Sequence, residues 1–232
     1  VEEVGGAVLD AVLGGAFVPN STGLGAGPGG ALCQVVTGPN MGGKSVYVRQ
    51  VALLVLLAQA GSYVPASRAR LSVFDAVLTR IGASDNLAQG TSTFLEEVSE
   101  AAAILRQATP RSLVVLDELG RGTSTHDGQA LAHAALHRLV HGTRCLTLFV
   151  THYPAVAGSM VAEGRGAVQA GHMDYVPPSG PGEPVAFLYR LVPGVAQRSF
   201  GLNVARLAGL PGGVLGRAAE RARGMEEAEE PR

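Results

Sequence analysis

Apolar and polar positions alternate along this chain with two different periods. Ala31-Leu32-Cys33-Gln34-Val35-Val36-Thr37 is a short, nearly continuous apolar run between Gly30 and Gly38, the pattern of a strand buried on both faces. The longer apolar run Val51 to Ala58 predicts a buried helix that ends near Gly61. Leu71 to Leu78 predicts a second strand, and Gly82 to Gly90 a polar loop. From Thr93 to Ala108 the apolar residues Phe94, Val98, Ala101, Leu105 and Ala108 recur at helical spacing, and Thr93 with Glu96 makes a capping box. A strand at 112–116, a helix from about Asp127 to Val140 and a strand at 145–150 continue the alternation. Two strand-like runs between Ala167 and Val192 flank the turn-rich Pro177 to Pro184, so a hairpin follows. Two helices, near Leu202 to Ala208 and Val214 to Arg223, close the chain around the breakers Gly209, Pro211, Gly212 and Gly213. Strands alternating with helices imply an α/β fold, a mostly parallel sheet flanked by helices. The glycine- and proline-rich stretch Asn20 to Gly30 reads as a flexible surface loop ahead of it.

Chemistry concentrates at two strand ends. Residues 38 to 45, Gly-Pro-Asn-Met-Gly-Gly-Lys-Ser, fit the phosphate-binding pattern G-x-x-x-x-G-K-[ST], with a strand before them and a helix after. Gly38, Gly42 and Gly43 would let backbone N–H groups turn toward phosphates beside a helix N-terminus. Lys44 would meet the β and γ phosphates, and Ser45 would offer a hydroxyl to Mg²⁺. A glycine-rich turn with no ligand is the plain alternative in a chain with 32 glycines. Leu113 to Leu116 runs into Asp117 and Glu118. Asp117 would serve Mg²⁺ through its water shell and Glu118 the attacking water as general base; alternatively the strand merely ends in solvated acids. His152, just past the strand 146–150, could sense a γ-phosphate. His126, His133, His137, His141 and His172 lack the spacing of a metal site.

Composition narrows the picture. With 232 residues the chain supports one substantial core, and 18 Lys+Arg against 19 Asp+Glu leave a formal net charge of -1. No overall basic field is available for nucleic acid, so any DNA contact lies elsewhere. Cys33 and Cys145 both sit in strand-like apolar runs and read as small buried hydrophobes in a reducing, intracellular setting. No membrane span or targeting signal is present, which predicts a soluble protein without membrane contact. Opening on Val1 suggests a piece of something longer.

Thr37 to Gln50, Thr79 to Glu97, Leu116 to Gly128, Phe149 to Tyr153 and Ser199 to Leu210 together resemble the ATPase domain of MutS-type DNA mismatch repair proteins. Val150 to Pro154 and Gly171-His172-Met173 look most like the eukaryotic branch acting on insertion and deletion loops. The resemblance implies a P-loop NTPase of the ABC-ATPase type over residues 1–195 and a C-terminal helical dimerisation segment over 196–232. It implies ATP or ADP with Mg²⁺ as ligands and a homologous MutS-type subunit as partner, a heterodimer being favoured. Mismatched or looped duplex DNA would be gripped by parts absent from this chain, in the nucleus. It also assigns roles: Phe17 and Tyr189 flank the adenine, Tyr189 where relatives often carry histidine. Pro39, Asn40 and Met41 complete the phosphate loop, and Ser92 acts in trans on the partner's nucleotide. Leu95 stands where methionine is common, a volume-conserving change expected to be silent. Three other readings stay open: a recombination-type MutS clamp without mismatch reading, another ABC-type ATPase, and a module that binds nucleotide only to dimerise. Gly90-Thr91-Ser92-Thr93 differs from the Ser-Gly-Gly signature of transporter-type relatives, and Glu118 argues against the non-hydrolysing module.

Overall fold

A computed structural model describes residues 2–4, 17–25, 30–82, 93–177, 185–196 and 201–229. Its centre is a six-stranded sheet in the order β4-β5-β6-β2-β7-β8. These strands are β2 (Cys33–Thr37), β4 (Val77–Arg80), β5 (Leu113–Asp117), β6 (Leu146–Val150), β7 (Val168–Val176) and β8 (Ala186–Pro193). All pairings are parallel except the β7–β8 hairpin at one edge. A separate pair, β1 (Glu2–Val4) with β3 (Ala66–Arg68), is antiparallel and unforeseen in the sequence.

The two-residue period of the strands divides the core into two halves. Cys33, Val35, Val114, Leu116 and Phe149 face one cluster, whereas Val36, Leu113, Val115, Leu148 and Val150 face the other. Helix α1 (Lys44–Gln59) covers the second side with Tyr47, Val48, Val51, Ala52 and Val55. Helices α2 (Thr93–Gln107), α3 (Thr125–His137) and α4 (Pro154–Glu163) cover the first. Ser124 caps α3 by accepting the Asp127 N–H, and a π-helical turn, Arg138–Thr143, continues it. Cys33 and Cys145 are free and buried in the first cluster, and burial pushes both thiols up from their usual range. The C-terminal pair is α5 (Gly201–Leu207) and α6 (Gly212–Glu229). No helix among the described residues is long and apolar enough to cross a membrane.

Three expectations about elements change. The strand expected over Leu71–Leu78 is confined to Val77–Arg80. Upstream, Phe74 turns into the core with its N–H on Gln59 Oε1 at 2.6 Å, and the Asp75 carboxylate accepts from the Thr109 and Ser112 hydroxyls. Those side-chain bonds compete with a strand ladder. Helix α4 was not foreseen: its apolar period is diluted by alanines and Gly158, although Pro154 at its first turn is a normal start. In α2 the buried stripe is Glu97, Ala101 and Ile104, rotated from the expected one, with Phe94, Val98, Leu105 and Ala108 only partly buried. Helix α2 starts at Thr93, and Ser92 and most of the Gly82–Gly90 loop lie outside the described residues.

Candidate functional site

Parallel register brings the chemical residues to one level. Val150 pairs with both Val36 and Asp117, so the C-terminal ends of β2, β5 and β6 finish together. Because β6 lies between β2 and β5, the chain leaving it at Thr151-His152 emerges between the glycine loop and the carboxylates. A cleft of about 900 Å³ opens there, within the range of small-ligand sites.

The glycine loop wraps tightly. Gly38 at φ +126° and Gly43 at φ +96° adopt backbone that side chains resist, and Gly43 is the N-cap of α1. Met41 holds φ +66° despite its side chain, and the Gly42 N–H closes the turn on Pro39 O at 3.2 Å. A Cβ on Gly42 would lie 3.0 Å from that same oxygen. Lys44 Nζ is buried and donates to Gly38 O at 2.9 Å, Pro39 O at 3.1 Å and Asn40 Oδ1 at 3.4 Å, so the ammonium is pre-positioned over the loop. Burial lowers its pKa from the usual lysine range, opposed by Glu118 and Asp117.

Opposite the loop stand the two carboxylates. Asp117 is buried, hydrogen-bonded by the Ser45 hydroxyl, and its Oδ1 has no partner. Burial raises its pKa above the usual carboxylate range, with the Ser45 bond working the other way. A buried anionic oxygen without a donor, beside a hydroxyl, fits a Mg²⁺ ion that draws its other ligands from water and phosphate. Among the described residues no group of three His, Cys, Asp or Glu side chains is placed to hold a metal by itself. Glu118 follows at φ +57°, left-handed backbone that is strained for a side chain. Its Oε1 lies 3.8 Å from Lys44 Nζ, and its Oε2 accepts from Arg121 Nη1 at 2.7 Å.

Phe17 and Tyr189 line the same cleft together with Pro39, Asn40 and Met41. The Asn20 side chain ties the two aromatic segments together: its amide donates to Tyr189 O at 2.8 Å and its oxygen accepts the Leu191 N–H at 2.6 Å. Tyr189 itself holds φ +54° and reaches Gly43, where a Cβ would meet its ring at 3.3 Å. Gly38 and Gly42 shape the loop from behind and do not line the cleft. His152 does not line it either; its ring lies on Tyr153 at 3.8 Å between centroids. Burial lowers the His152 pKa, Glu118 opposes this, and Arg121 and Lys44 add to it, so the imidazole is neutral at pH 7. Ser92 lies outside the described residues, while Thr93 lines the cleft of its own chain.

Four residues with no role assigned from the sequence surround Glu118 or the aromatics: Asn20, Arg80, Glu97 and Tyr153. Glu97 carried a usable signal, since a carboxylate at i, i+4, i+7 spacing with Ala101 and Ile104 needs a buried partner. Asn20 carried none, because its partners are backbone groups some 170 positions away.

Comparison with known proteins adds an independent finding. A family model described as MutS domain V matches residues 34–226. Proteins named DNA mismatch repair protein MSH3 are similar to this chain in Pyricularia oryzae (53% identical, covering 95% of the chain), Arabidopsis thaliana (52%, 94%) and Homo sapiens (45%, 94%). The chain spans 20% of the length of each of these relatives.

Proposed function

Since this chain belongs to the MutS domain V family, the P-loop ATPase module of mismatch repair proteins, we propose that its cleft binds Mg-ATP and hydrolyses it to ADP and phosphate. One observation carries this reading: Lys44, Ser45, the unpartnered Asp117 oxygen and Glu118 converge on a single cleft. The loop N–H groups and Lys44 bind the β and γ phosphates, exchanging the ammonium's loop carbonyls for phosphate oxygens. Ser45 and Asp117 hold Mg²⁺, whose charge offsets that of the phosphates. Glu118 accepts the proton of an attacking water as the new O–P bond forms and the β–γ bridging oxygen leaves with its electron pair as ADP. Neutral His152 retains one N–H donor and one acceptor for sensing the released phosphate. Phe17 and Tyr189 stack the base from two sides.

The same reading extends to the larger protein. The relatives are DNA mismatch repair proteins by name, which supports a homologous MutS-type partner subunit, heterodimeric in preference, and a nuclear location. Residues 196–232 carry the dimer contact, supported by the exposed apolar Leu207, Leu210 and Val214 around α5 and α6. Mismatched or looped DNA is held by parts outside this chain, in keeping with its net charge of -1. Ser92 acts in trans at the start of α2.

Lys44→Ala is expected to abolish ATP binding in calorimetry. Glu118→Gln is expected to bind Mg-ATP normally and to hydrolyse it about 10²-fold more slowly. Wild-type turnover by the Gln variant would mean that another group activates the water, and unchanged affinity of the Ala variant would remove the phosphate-loop assignment.

A further inference from the structure

Left-handed backbone at a residue with a side chain persists only where its surroundings over-determine it. Around Glu118 the determinants can be named. The Asp117 carbonyl accepts from Arg80 Nη1 at 2.5 Å, and the Glu118 N–H donates to Val150 O at 2.9 Å. Two residues on, the Gly120 N–H donates to Glu97 Oε1 at 2.5 Å, and the Gly120 carbonyl accepts from the Tyr153 hydroxyl at 2.9 Å. Both polar groups of one residue are thus held by buried side chains from different elements, α2 and the turn between β6 and α4. Gly120 is itself at φ +92°, with its Cα so close to the Gly128 carbonyl that a Cβ has no room. Arg80 Nη2 lies 3.7 Å from Glu97 Oε2, so the carboxylate on α2 is linked to the backbone on both sides of Glu118.

We propose that Glu97 and Tyr153 are positioning residues that hold the Gly120 peptide and, through it, aim the Glu118 carboxylate at the attacking water. The inference rests on the ATPase reading above and deepens it. It connects the base to α2, whose Thr93 and Glu97 line the cleft, and to the β6–α4 turn that carries His152. Neither positioning side chain transfers a proton. Their loss acts on the rate through the direction of Glu118, and leaves the phosphate loop that binds ATP in place.

The test uses the protein expressed from its complete reading frame. Mg-ATP affinity comes from calorimetry, kcat from steady-state phosphate release, and each variant is held well below its own Tm. Tyr153→Phe keeps the ring and removes one hydrogen bond; kcat should fall about tenfold with Kd for Mg-ATP within about twofold. Glu97→Ala should do the same or more, and Glu97→Gln, which retains an acceptor for the Gly120 N–H, should recover to within about threefold of wild type. Placed on Glu118→Gln, Tyr153→Phe should change the residual rate less than about twofold, since its effect passes through the missing carboxylate. Tyr153→Phe turning over at the wild-type rate overturns the inference. So does a matching loss of affinity, or a full tenfold further loss on Glu118→Gln. A wild-type protein that binds Mg-ATP and never hydrolyses it removes the ATPase reading itself, and this inference with it.

Discussion

At the scale of single residues, the site holds charge in places where the fold alone would prefer none. Asp117 shows this most sharply, because its pKa is raised by burial. A folded-state pKa above the unfolded value means that the associated stability is complete below about pH 3.8, the unfolded range. That stability is lost as pH rises through the folded pKa. At neutral pH the ionised carboxylate is therefore a net cost to the fold. Asp117→Asn keeps a partner for the Ser45 hydroxyl and removes the buried charge. In metal-free buffer it is expected to raise Tm. The same variant should lose the Mg²⁺-dependent part of ATP binding, measured by titrating ATP with and without metal. A lower Tm would show that the carboxylate has stabilising partners beyond Ser45.

At the scale of elements, the segment joining β5 to α3 sets the geometry of Glu118. Gly120 and Gly128 approach so closely that each excludes a Cβ on the other, and Tyr153 closes the third side at 2.5 Å from a Cβ on Gly128. Two effects compete in Gly128→Ala. Alanine in a helix interior is favoured over glycine by about 1 kcal/mol, whereas the clash falls on the Gly120 carbonyl, backbone that cannot swing aside as a long side chain would. Overpacking of this kind costs about 1–3 kcal/mol and wins. Gly128→Ala is expected to lower Tm by a few degrees and to reduce hydrolysis more than ATP affinity, because the displaced residue is the one that anchors Glu118. Thermal melts and calorimetry on the same preparation check both halves.

At the scale of the whole molecule, the question is which chain's α2 N-terminus serves which nucleotide. A free helix N-terminus suits a phosphate, and Thr93 reaches the cleft of its own chain, so cis and trans arrangements compete. A Ser92→Ala subunit and a Lys44→Ala subunit should each be inactive alone. In a trans arrangement a mixed dimer contains one intact site and one doubly damaged site. Hydrolysis should then reappear on mixing, up to about half per dimer if the sites are independent. In a cis arrangement every site in the mixture stays damaged. Cross-linking establishes that mixed dimers have formed, and no activity in them would place Ser92 in its own subunit's site or require both sites to fire together.

The residues that would touch phosphate and metal were legible in the chain because their chemistry depends on short spacings. Gly38 to Ser45 form one turn, and Asp117 and Glu118 end one strand, so local sequence determined which groups stand at those strand tips. Alternating periods likewise determined the parallel sheet, the hairpin and the terminal helix pair. Tertiary structure decided what sits between and behind them. The strand order that inserts β6 between β2 and β5 brings His152 out beside the carboxylates, and no local pattern encodes that order. The face of α2 that turns inward was decided by Arg80 and the Gly120 N–H, which give a buried Glu97 its partners and so outweigh the apolar period of the helix. Asn20 joins Phe17 to Tyr189 through backbone groups, for which side-chain identity carries no trace. Short-range spacing specifies the reactive groups; only long-range packing aims them, because a direction is set by contacts from elements that are distant along the chain.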